Sequence, residues 1–314
     1  MDAPRSYTVI GVGAIGGVYG ARLLAAGHPV RWVARSDADH LREHGLVVDL
    51  PGGRSHHRDL HVVGPGDRLP QSDVVLVCTK TTAGVADLVA EVAGPGTVVV
   101  AMQNGLGVEA PLADAAPDAA VLGGMCFICA TKVGPGAVAH LDYGGVTLGE
   151  HTADGRAAGV TDAVAAVAAD LEAAGVAVTR EPDLARGRWR KLVWNIPYNG
   201  LSVVLDAGTD ALMADPATRG LVEALMSEVV GASQACGHGL DEAIVPKLLA
   251  DTEAMTPYAP SMKLDHDAGR PLELAAIYDA PIAVARAAGY DMPRTAALAA
   301  QLHFLDRRRR HPDG

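Results

Sequence analysis

A glycine-rich hexapeptide near the N-terminus constrains the fold of this chain more than any other feature. Gly11-Val-Gly13-Ala-Ile-Gly16 follows a β-rich run, Tyr7–Ile10, and precedes a helical pattern over Val18–Ala26 that ends at Gly27. A GxGxxG pattern alone is weak evidence, because an ordinary glycine-rich turn can have it. Between a strand and a helix it indicates a dinucleotide-binding fold, because glycines permit a tight turn and close backbone approach to a pyrophosphate. The residues expected to bind the cofactor here are Gly11, Gly13, Ala14, Ile15 and Gly16.

Polar residues follow three further β-rich runs of the N-terminal half. The runs are Val30–Ala34, Asp73–Cys78 and Thr97–Met102, and the polar residues after them include Arg35, Lys80 and Asn104. In open α/β sheets, ligands bind outside the carboxyl ends of the strands. We therefore expect these three side chains and the glycine-rich turn to lie along one edge of a sheet.

Arg35 indicates which dinucleotide binds. It stands where an NAD-binding chain places Asp or Glu for the ribose hydroxyl. A guanidinium suits a 2′-phosphate and removes the acceptor that NAD requires, so the sequence favours NADP(H). Asp37 and Asp39 keep NAD open as an alternative, although we expect them to begin the next helix.

The remaining runs complete an N-terminal Rossmann-type domain, which we place at 1–181. Strands are predicted near Val121–Ala130, Ala137–Leu141 and Val146–Leu148, with an alanine-rich helix over Ala163–Ala174. The Cys126-x-x-Cys129 pair falls within a strand, where residues i and i+3 face opposite sides. We therefore expect neither a redox motif nor a metal site there.

Strand patterns stop after Glu181-Pro182-Asp183, so the second domain, 182–314, is predicted to be all helical. Asp215-Pro216 is suited to the start of a helix. Helical spacing covers Leu221–Val230, Asp241–Ala254, Leu272–Ala288 and Pro293–Leu305, and we expect Arg307–Arg310 to form a frayed, solvated tail.

The segment Trp189–Asn199 opens this second domain with a polar stripe. Lys191, Asn195 and Asn199 are spaced i, i+4 and i+8, so on a helix the first and last differ by about 80° around the axis. Pro197 predicts a kink in that helix. A solvated surface stripe is the plainer interpretation, but the two tryptophans and the paired amides favour the wall of a polar pocket. We expect the active site in the cleft between the domains.

Composition narrows the choice of partners and compartment. The net charge of −11 disfavours nucleic acid as a partner. No apolar run approaches the ~18 residues of a membrane span, so no membrane association is expected. Without a targeting segment or a disulfide framework, the sequence predicts a cytoplasmic protein.

The motifs resemble those of ketopantoate reductases (2-dehydropantoate 2-reductases) over nearly the whole chain. They are Gly11–Gly16 with Arg35, Lys80, Gln103–Gly107, Gly134-Pro-Gly136 with His140, Trp189–Leu192 with Asn195 and Asn199, Ser261-Met262, and Gly269–Glu273. The resemblance implies a Rossmann domain followed by a helical domain like the C-terminal domain of 6-phosphogluconate dehydrogenase. It also implies an oxidoreductase that reduces a 2-keto acid with NADPH, ketopantoate to pantoate in pantothenate biosynthesis.

The resemblance also implies a role for each site residue. Lys191 would be the general acid, and Glu273 would bind the substrate hydroxyl. The substrate would be positioned by Asn104, Asn195, Asn199 and Ser261, and the 2′-phosphate side of the cofactor would be held by Arg35 and Lys80. A homodimer is possible.

One segment departs from the family pattern. Family members usually carry Thr before the glutamate, Asp two residues after it and Asn-Gly further on, where this chain has Leu272, Ala275 and Asp279-Ala280, followed by Pro281. A reductase of another keto acid, a diketone or an imine therefore stays open, as does an NADP-sensing protein without turnover. For Glu273 itself, a helix-surface salt bridge with Arg270 is a serious alternative.

Overall fold

The computed structural model describes residues 3–81, 84–257 and 259–310. The chain folds into two compact units. The first runs to Gln103 and resumes over Val108–Leu184, whereas the second contains Asn104–Gly107 and the chain from Ala185 onward. A short loop within the N-terminal half of the sequence therefore belongs structurally to the C-terminal unit.

The first unit is a sheet flanked by helices. Its strands are β1 (Tyr7–Ile10), β2 (Val30–Val33), β3 (Leu46–Leu50), β4 (Gly53–His57), β5 (His61–Val63), β6 (Val74–Val77), β7 (Val98–Ala101), β8 (Ala120–Gly134), β9 (Ala137–Glu150) and β10 (Val178–Arg180). Its helices are α1 (Ala14–Ala25), α2 (Ala38–His44), α3 (Val85–Val92), α4 (Ala110–Ala115) and α5 (Asp162–Ala173).

The strand order confirms the predicted Rossmann-type fold. The sheet runs β4-β3-β9-β8-β7-β6-β1-β2-β5, with β10 beside β9. Six neighbouring strands, β5-β2-β1-β6-β7-β8, are parallel. If these six strands are numbered by their order in the chain, their order across the sheet is 3-2-1-4-5-6, which is the order of the Rossmann fold. The order reverses between β1 and β6, and ligands of such sheets bind at this switch point. Buried runs such as Val74–Val77 fit strands covered on both faces.

The sequence missed three strands and the continuity of a fourth. They are β3, β4 and β5: β4 contains no apolar residue, so it carries no alternating pattern, and β5 is only three residues long. The runs predicted separately as Ala137–Leu141 and Val146–Leu148 form one strand, β9, antiparallel to β8. Tyr143 interrupts its pattern, because it has a positive φ of 58° beside a shift in register. The prediction that Cys126 and Cys129 lie in a strand is confirmed.

The second unit contains only helices among its described residues, as predicted. They are α6 (Leu184–Val204), α7 (Thr209–Ala214), α8 (Pro216–Ala235), α9 (Ile244–Ala254), α10 (Ser261–Asp267), a π-helix (Ala275–Asp279), α11 (Ala280–Ala287) and α12 (Pro293–Arg310). Asp215 caps α8 as predicted, because its carboxylate accepts from the N–H groups of Ala217 and Thr218 at 3.0 and 2.9 Å.

Two helix predictions need correction. The helix predicted over Leu272–Ala288 begins later, and its first part is the π-helix, which continues directly into α11 with Pro281 close to the join. The expected fraying of the tail is wrong, because α12 continues through Arg310, whereas Arg307–Arg310 are exposed as expected. Arg310 pairs with Asp306 at 2.6 Å one turn earlier, and cations at a helix C-terminus are favourable.

Asp170 on α5 anchors the start of the chain to the first unit. Its carboxylate accepts from Nε and Nη2 of Arg5, both at 2.7 Å, and from the hydroxyl of Tyr7 at 2.6 Å. Burial and then this bond hold the pKa of Tyr7 well above its ordinary value, so the phenol remains a donor. Two nitrogens of Arg5 and the hydroxyl of Tyr7 therefore share this one buried carboxylate as their acceptor.

Asp170→Ala is expected to lower the free energy of unfolding by about 2–4 kcal/mol, because it leaves the buried hydroxyl of Tyr7 without its acceptor and removes the ion pair of Arg5. Urea unfolding followed by circular dichroism measures the change. The matched control is Glu172→Ala on the same helix, which removes an exposed pair with Arg180 and should change little. Equal effects of the two variants would contradict this account.

Candidate functional site

The glycine-rich turn packs tightly against the end of β6 at the switch point. Gly11 has a positive φ of 96°, and a Cβ there would lie 2.6 Å from Cγ2 of Thr79. A Cβ on Gly16 would lie 2.0 Å from the carbonyl oxygen of Gly11, so glycine is required for α1 to approach the turn. Gly13 differs from both, because no described atom outside its own stretch of backbone lies within 4 Å of the position of its Cβ.

The first turn of α1 is suited to an anion. The helix begins at Ala14. Its N-cap residue is Gly13, which has no side chain to accept a hydrogen bond from the first N–H groups. Its first N–H groups and its dipole therefore favour a negative charge. Thr79 adds a buried hydroxyl with no hydrogen-bond partner among the described residues. Open space at Gly13, an uncapped helix start and this hydroxyl fit the pyrophosphate of a dinucleotide.

The residues expected to select the cofactor follow β2 and β6. Arg35 is exposed just after β2, and Lys80 is half-buried three residues after β6. Asp37 precedes α2, as predicted, and its carboxylate binds the ammonium of Lys132. Asp39 pairs with Arg42 at 3.0 Å. Asp37 and Asp39, the two carboxylates that left NAD as an alternative cofactor, therefore each have a cationic partner.

The predicted polar stripe lies on one helix, α6, which continues past Pro197 to Val204. Asn195 and Asn199 are 3% and 1% exposed, whereas Lys191 is half-buried. A buried amide is costly unless it forms hydrogen bonds, so a solvated surface stripe does not describe these two side chains. The kink at Pro197 stays a prediction.

Both buried amides bind other predicted site segments. Nδ2 of Asn195 donates to Oδ1 of Asn104 over a long 3.5 Å. Oδ1 of Asn199 accepts from the N–H of Met262 at 3.2 Å, in the first turn of α10. Because α10 begins at Ser261, Asn199 fixes the helix start that carries this serine. The second unit thus brings together Asn104, Asn195, Asn199 and the beginning of α10.

The π-helix links the Asn104 loop to α6. The N–H of Leu106 donates to the carbonyl of Ala276 at 2.8 Å, and a Cβ on Gly105 would lie 2.4 Å from Cβ of Ala276. The hydroxyl of Tyr278 donates to the carbonyl of Ile196 at 2.8 Å. Burial raises the pKa of Tyr278 well above its ordinary value, so it remains a donor.

Sequence reasoning missed the supporting residues of this link. Gly105 lies in the Gln103–Gly107 motif. A glycine at that position could have indicated that the backbone closely approaches another segment. No local pattern marked the π-helix or the role of Tyr278.

Glu273 is half-buried and directly precedes the helical segment that leads into the π-helix. Its carbonyl accepts from the N–H of Ile277 at 3.3 Å, which fixes its backbone. Arg270 and Glu273 do not share a helix, so the i, i+3 arrangement considered for them is absent here. The guanidinium of Arg270 instead donates to Asp265 at 2.8 Å.

Family models match both parts of the chain. The model described as "Ketopantoate reductase PanE/ApbA" covers residues 7–153, and that of the "Ketopantoate reductase PanE/ApbA C terminal" covers 183–306. The chain belongs to the ketopantoate reductase family. The resemblance drawn from the sequence motifs is thereby confirmed.

Named relatives and solved structures agree with this assignment. A 2-dehydropantoate 2-reductase from Nostoc sp. is 42% identical over 308 residues, covering 98% of this chain and 97% of that protein. The crystal structure of the enzyme from Geobacter metallireducens GS-15 has a TM-score of 0.89 at 35% identity, covering 95% of this chain and 99% of that one. The enzyme from Methylococcus capsulatus has a TM-score of 0.85 at 32% identity, covering 97% of each chain.

The chain is therefore an oxidoreductase acting on a CH–OH group, with a nicotinamide dinucleotide as its cofactor. In the part of the chain that the structure describes, no helix is both long and apolar enough to cross a membrane.

Two glycine variants separate packing from cofactor binding. Gly16→Ala should destabilise the protein by about 1–3 kcal/mol, because its methyl group meets the backbone of Gly11. Gly13→Val should leave the melting temperature near that of the wild type and weaken dinucleotide binding, because only the ligand side is open there. Thermal unfolding and a fluorescence titration with NADPH measure the two effects. Unchanged NADPH affinity in the folded Gly13→Val protein would refute the pyrophosphate assignment.

Proposed function

We propose that this protein reduces ketopantoate to pantoate with NADPH, a step of pantothenate biosynthesis. The observation that carries the proposal is the set of hydrogen bonds from the buried amides of α6. They connect the helix that carries Lys191 with Asn104 and with the helix start at Ser261, in a chain 42% identical to a protein named for this reaction.

Lys191 acts as the general acid. A bound nicotinamide would supply the hydride, and negative charge would develop on the ketone oxygen of the substrate. An ammonium group beside that oxygen stabilises the charge and donates the proton that completes the alcohol. Glu273 accepts a hydrogen bond from the substrate hydroxyl, and its negative charge favours the protonated form of a nearby lysine.

The amides and Ser261 position the rest of the keto acid. Because Oδ1 of Asn199 accepts from Met262, its Nδ2 is the group left to donate to a substrate carboxylate or hydroxyl. Because Oδ1 of Asn104 accepts from Asn195, its own Nδ2 is likewise available as a donor. These groups recognise an anionic, hydroxylated substrate without adding fixed charge.

Arg35 and Lys80 bind the 2′-phosphate side of the cofactor. Arg35 supplies a planar set of donors that matches a phosphate, and Lys80 adds a second positive charge. The partnered state of Asp37 supports NADPH over NADH, because its largely buried carboxylate already binds the ammonium of Lys132.

A reductase of another keto acid, a diketone or an imine is the second candidate. The segment beside Glu273 favours it, because Leu272 is buried and Asp279 pairs with His303 where the family usually has other residues. Steady-state rates with ketopantoate and a panel of keto acids and imines decide between the two. Ketopantoate should give the highest kcat/KM, and NADPH oxidation with none of them would favour a sensing protein. Cytoplasmic location and a homodimer stay predictions.

Lys191→Ala should lower kcat for ketone reduction by roughly 10²–10⁴, the contribution of a positioned proton donor. The wild-type rate of reduction should fall at alkaline pH, where the amine loses its proton, while the rate of alcohol oxidation rises. Both dependences should disappear in the variant. Arg190→Ala, which changes the exposed neighbour on α6, is the control and should keep its kcat. A folded Lys191→Ala protein with near-normal kcat would leave α6 as scaffold only.

Arg35→Asp should weaken NADPH binding by roughly 10- to 100-fold, because it replaces a charged donor with a repulsive carboxylate. NADH binding should change much less. Equilibrium titration with both dinucleotides measures the two constants, and Arg58→Asp, an exposed arginine of the same unit, controls for net charge. Equal losses for both dinucleotides would show that Arg35 does not recognise the 2′-phosphate.

A further inference from the structure

The turn between β8 and β9 holds the carboxylate of Asp37. The ammonium of Lys132 binds Oδ2 of Asp37, and the N–H of Gly136 donates to the same oxygen at 3.2 Å. The hydroxyl of Ser36 donates to Oδ1 at 3.0 Å. The Asp37 side chain is only 10% exposed, whereas that of Lys132 is 36% exposed. Three donors thus surround a largely buried carboxylate two residues after Arg35.

The position of this turn is fixed by packing. Gly136 has a positive φ of 58°, and a Cβ there would lie 2.8 Å from the carbonyl of Gly45 and 2.7 Å from the ring of His40 on α2. Its own carbonyl accepts from the N–H of Val47 on β3 at 2.8 Å. The turn therefore packs against α2 and β3, and the contact between Lys132 and Asp37 is one of several that hold it there.

Asp37 is charged in this arrangement. Burial opposes the charge, but the hydrogen bonds from Lys132, Gly136 and Ser36 outweigh it and hold the pKa of this carboxyl below its ordinary value. An uncompensated carboxylate after β2 is what dinucleotide folds use to bind the ribose 2′-hydroxyl of NAD. The same charge repels a 2′-phosphate.

We propose that Lys132 determines cofactor specificity by neutralising Asp37 next to Arg35, which allows a 2′-phosphate to bind where Asp37 alone would favour a ribose hydroxyl. Lys132 is a positioning residue in this account, because it acts through Asp37. The inference rests on the proposed use of NADPH. It assigns the selection of the phosphate to an ion pair between two distant parts of the sequence as well as to Arg35.

Binding of cofactor fragments tests this without turnover. Isothermal titration calorimetry with 2′,5′-ADP and with 5′-AMP measures the contribution of the 2′-phosphate in the wild type, Lys132→Met, Asp37→Asn and the double variant. In Lys132→Met the affinity for 2′,5′-ADP should fall roughly tenfold, because one positive charge is lost and one negative charge is exposed. The affinity for 5′-AMP should stay within about twofold, since the fragment lacks that phosphate.

Removing the exposed charge should restore the preference. The double variant Lys132→Met with Asp37→Asn should recover most of the 2′,5′-ADP affinity, and Asp37→Asn alone should keep it. Lys247→Met is the matched control, because it removes a lysine–aspartate pair at 2.5 Å on α9. Melting temperatures show that each protein is folded, and Lys132→Gln serves as the second neutral variant.

The outcomes separate this inference from the proposed cofactor. A wild type without preference for 2′,5′-ADP over 5′-AMP overturns both. A wild type with that preference and an unchanged Lys132→Met protein overturns the role of Lys132 alone. If the double variant remains as weak as Lys132→Met, the lysine contacts the phosphate directly and neutralisation of Asp37 is wrong. Loss of the preference in Asp37→Asn also contradicts the proposal.

Discussion

The need to satisfy two buried amides organises the second unit. Asn195 and Asn199 lie on a helix whose other side chains, such as Val193 and Ile196, form an apolar core. An amide in such surroundings costs free energy unless it forms hydrogen bonds, so each must have a polar partner nearby. Asn104 provides one and the backbone at the start of α10 provides the other. The same bonds that keep the core stable therefore set the positions of two further polar residues, Asn104 and Ser261.

This requirement explains why a loop that follows β7 is part of the helical unit. Asn104 reaches α6 only if its loop lies against the π-helix, and Gly105 is the residue without a side chain at the point of contact. The π-helix in turn exposes the carbonyl of Ala276 to Leu106 and directs the hydroxyl of Tyr278 to α6. π-Helical turns are frequent at functional sites because they redirect a few residues within a helix. Here the redirected segment follows Glu273, so its geometry also fixes the backbone of that glutamate.

The sequence predicted what local spacing determines and missed what distant contacts determine. The glycine-rich turn follows from a short motif, the buried strands from apolar runs and the Lys191–Asn199 stripe from the 3.6-residue period of a helix, and the structure has those elements. β4 was missed because its exposed residues have no apolar pattern, and β9 was divided because a bulge at Tyr143 interrupts its alternation. The pairing of Asp37 with Lys132 has no local signal at all. Which carboxylate near Arg35 is neutralised therefore depends on how the sheet is assembled.

Two of the family departures, Ala275 and Asp279, fall on exposed side chains that form none of the hydrogen bonds around α6. The π-helix is held by the backbone of Ala276 and by Tyr278, whereas the unusual residues are Leu272, Ala275 and Asp279-Ala280. Ala275 and Asp279 are exposed, whereas Leu272 is buried in the apolar core of the second unit, and its backbone N–H binds Asp306 at 3.3 Å. The hydrogen bonds of Asn195 and Asn199 use none of these side chains. The departures at Ala275 and Asp279 are therefore separate from the residues that hold the frame, because neither side chain takes part in those hydrogen bonds.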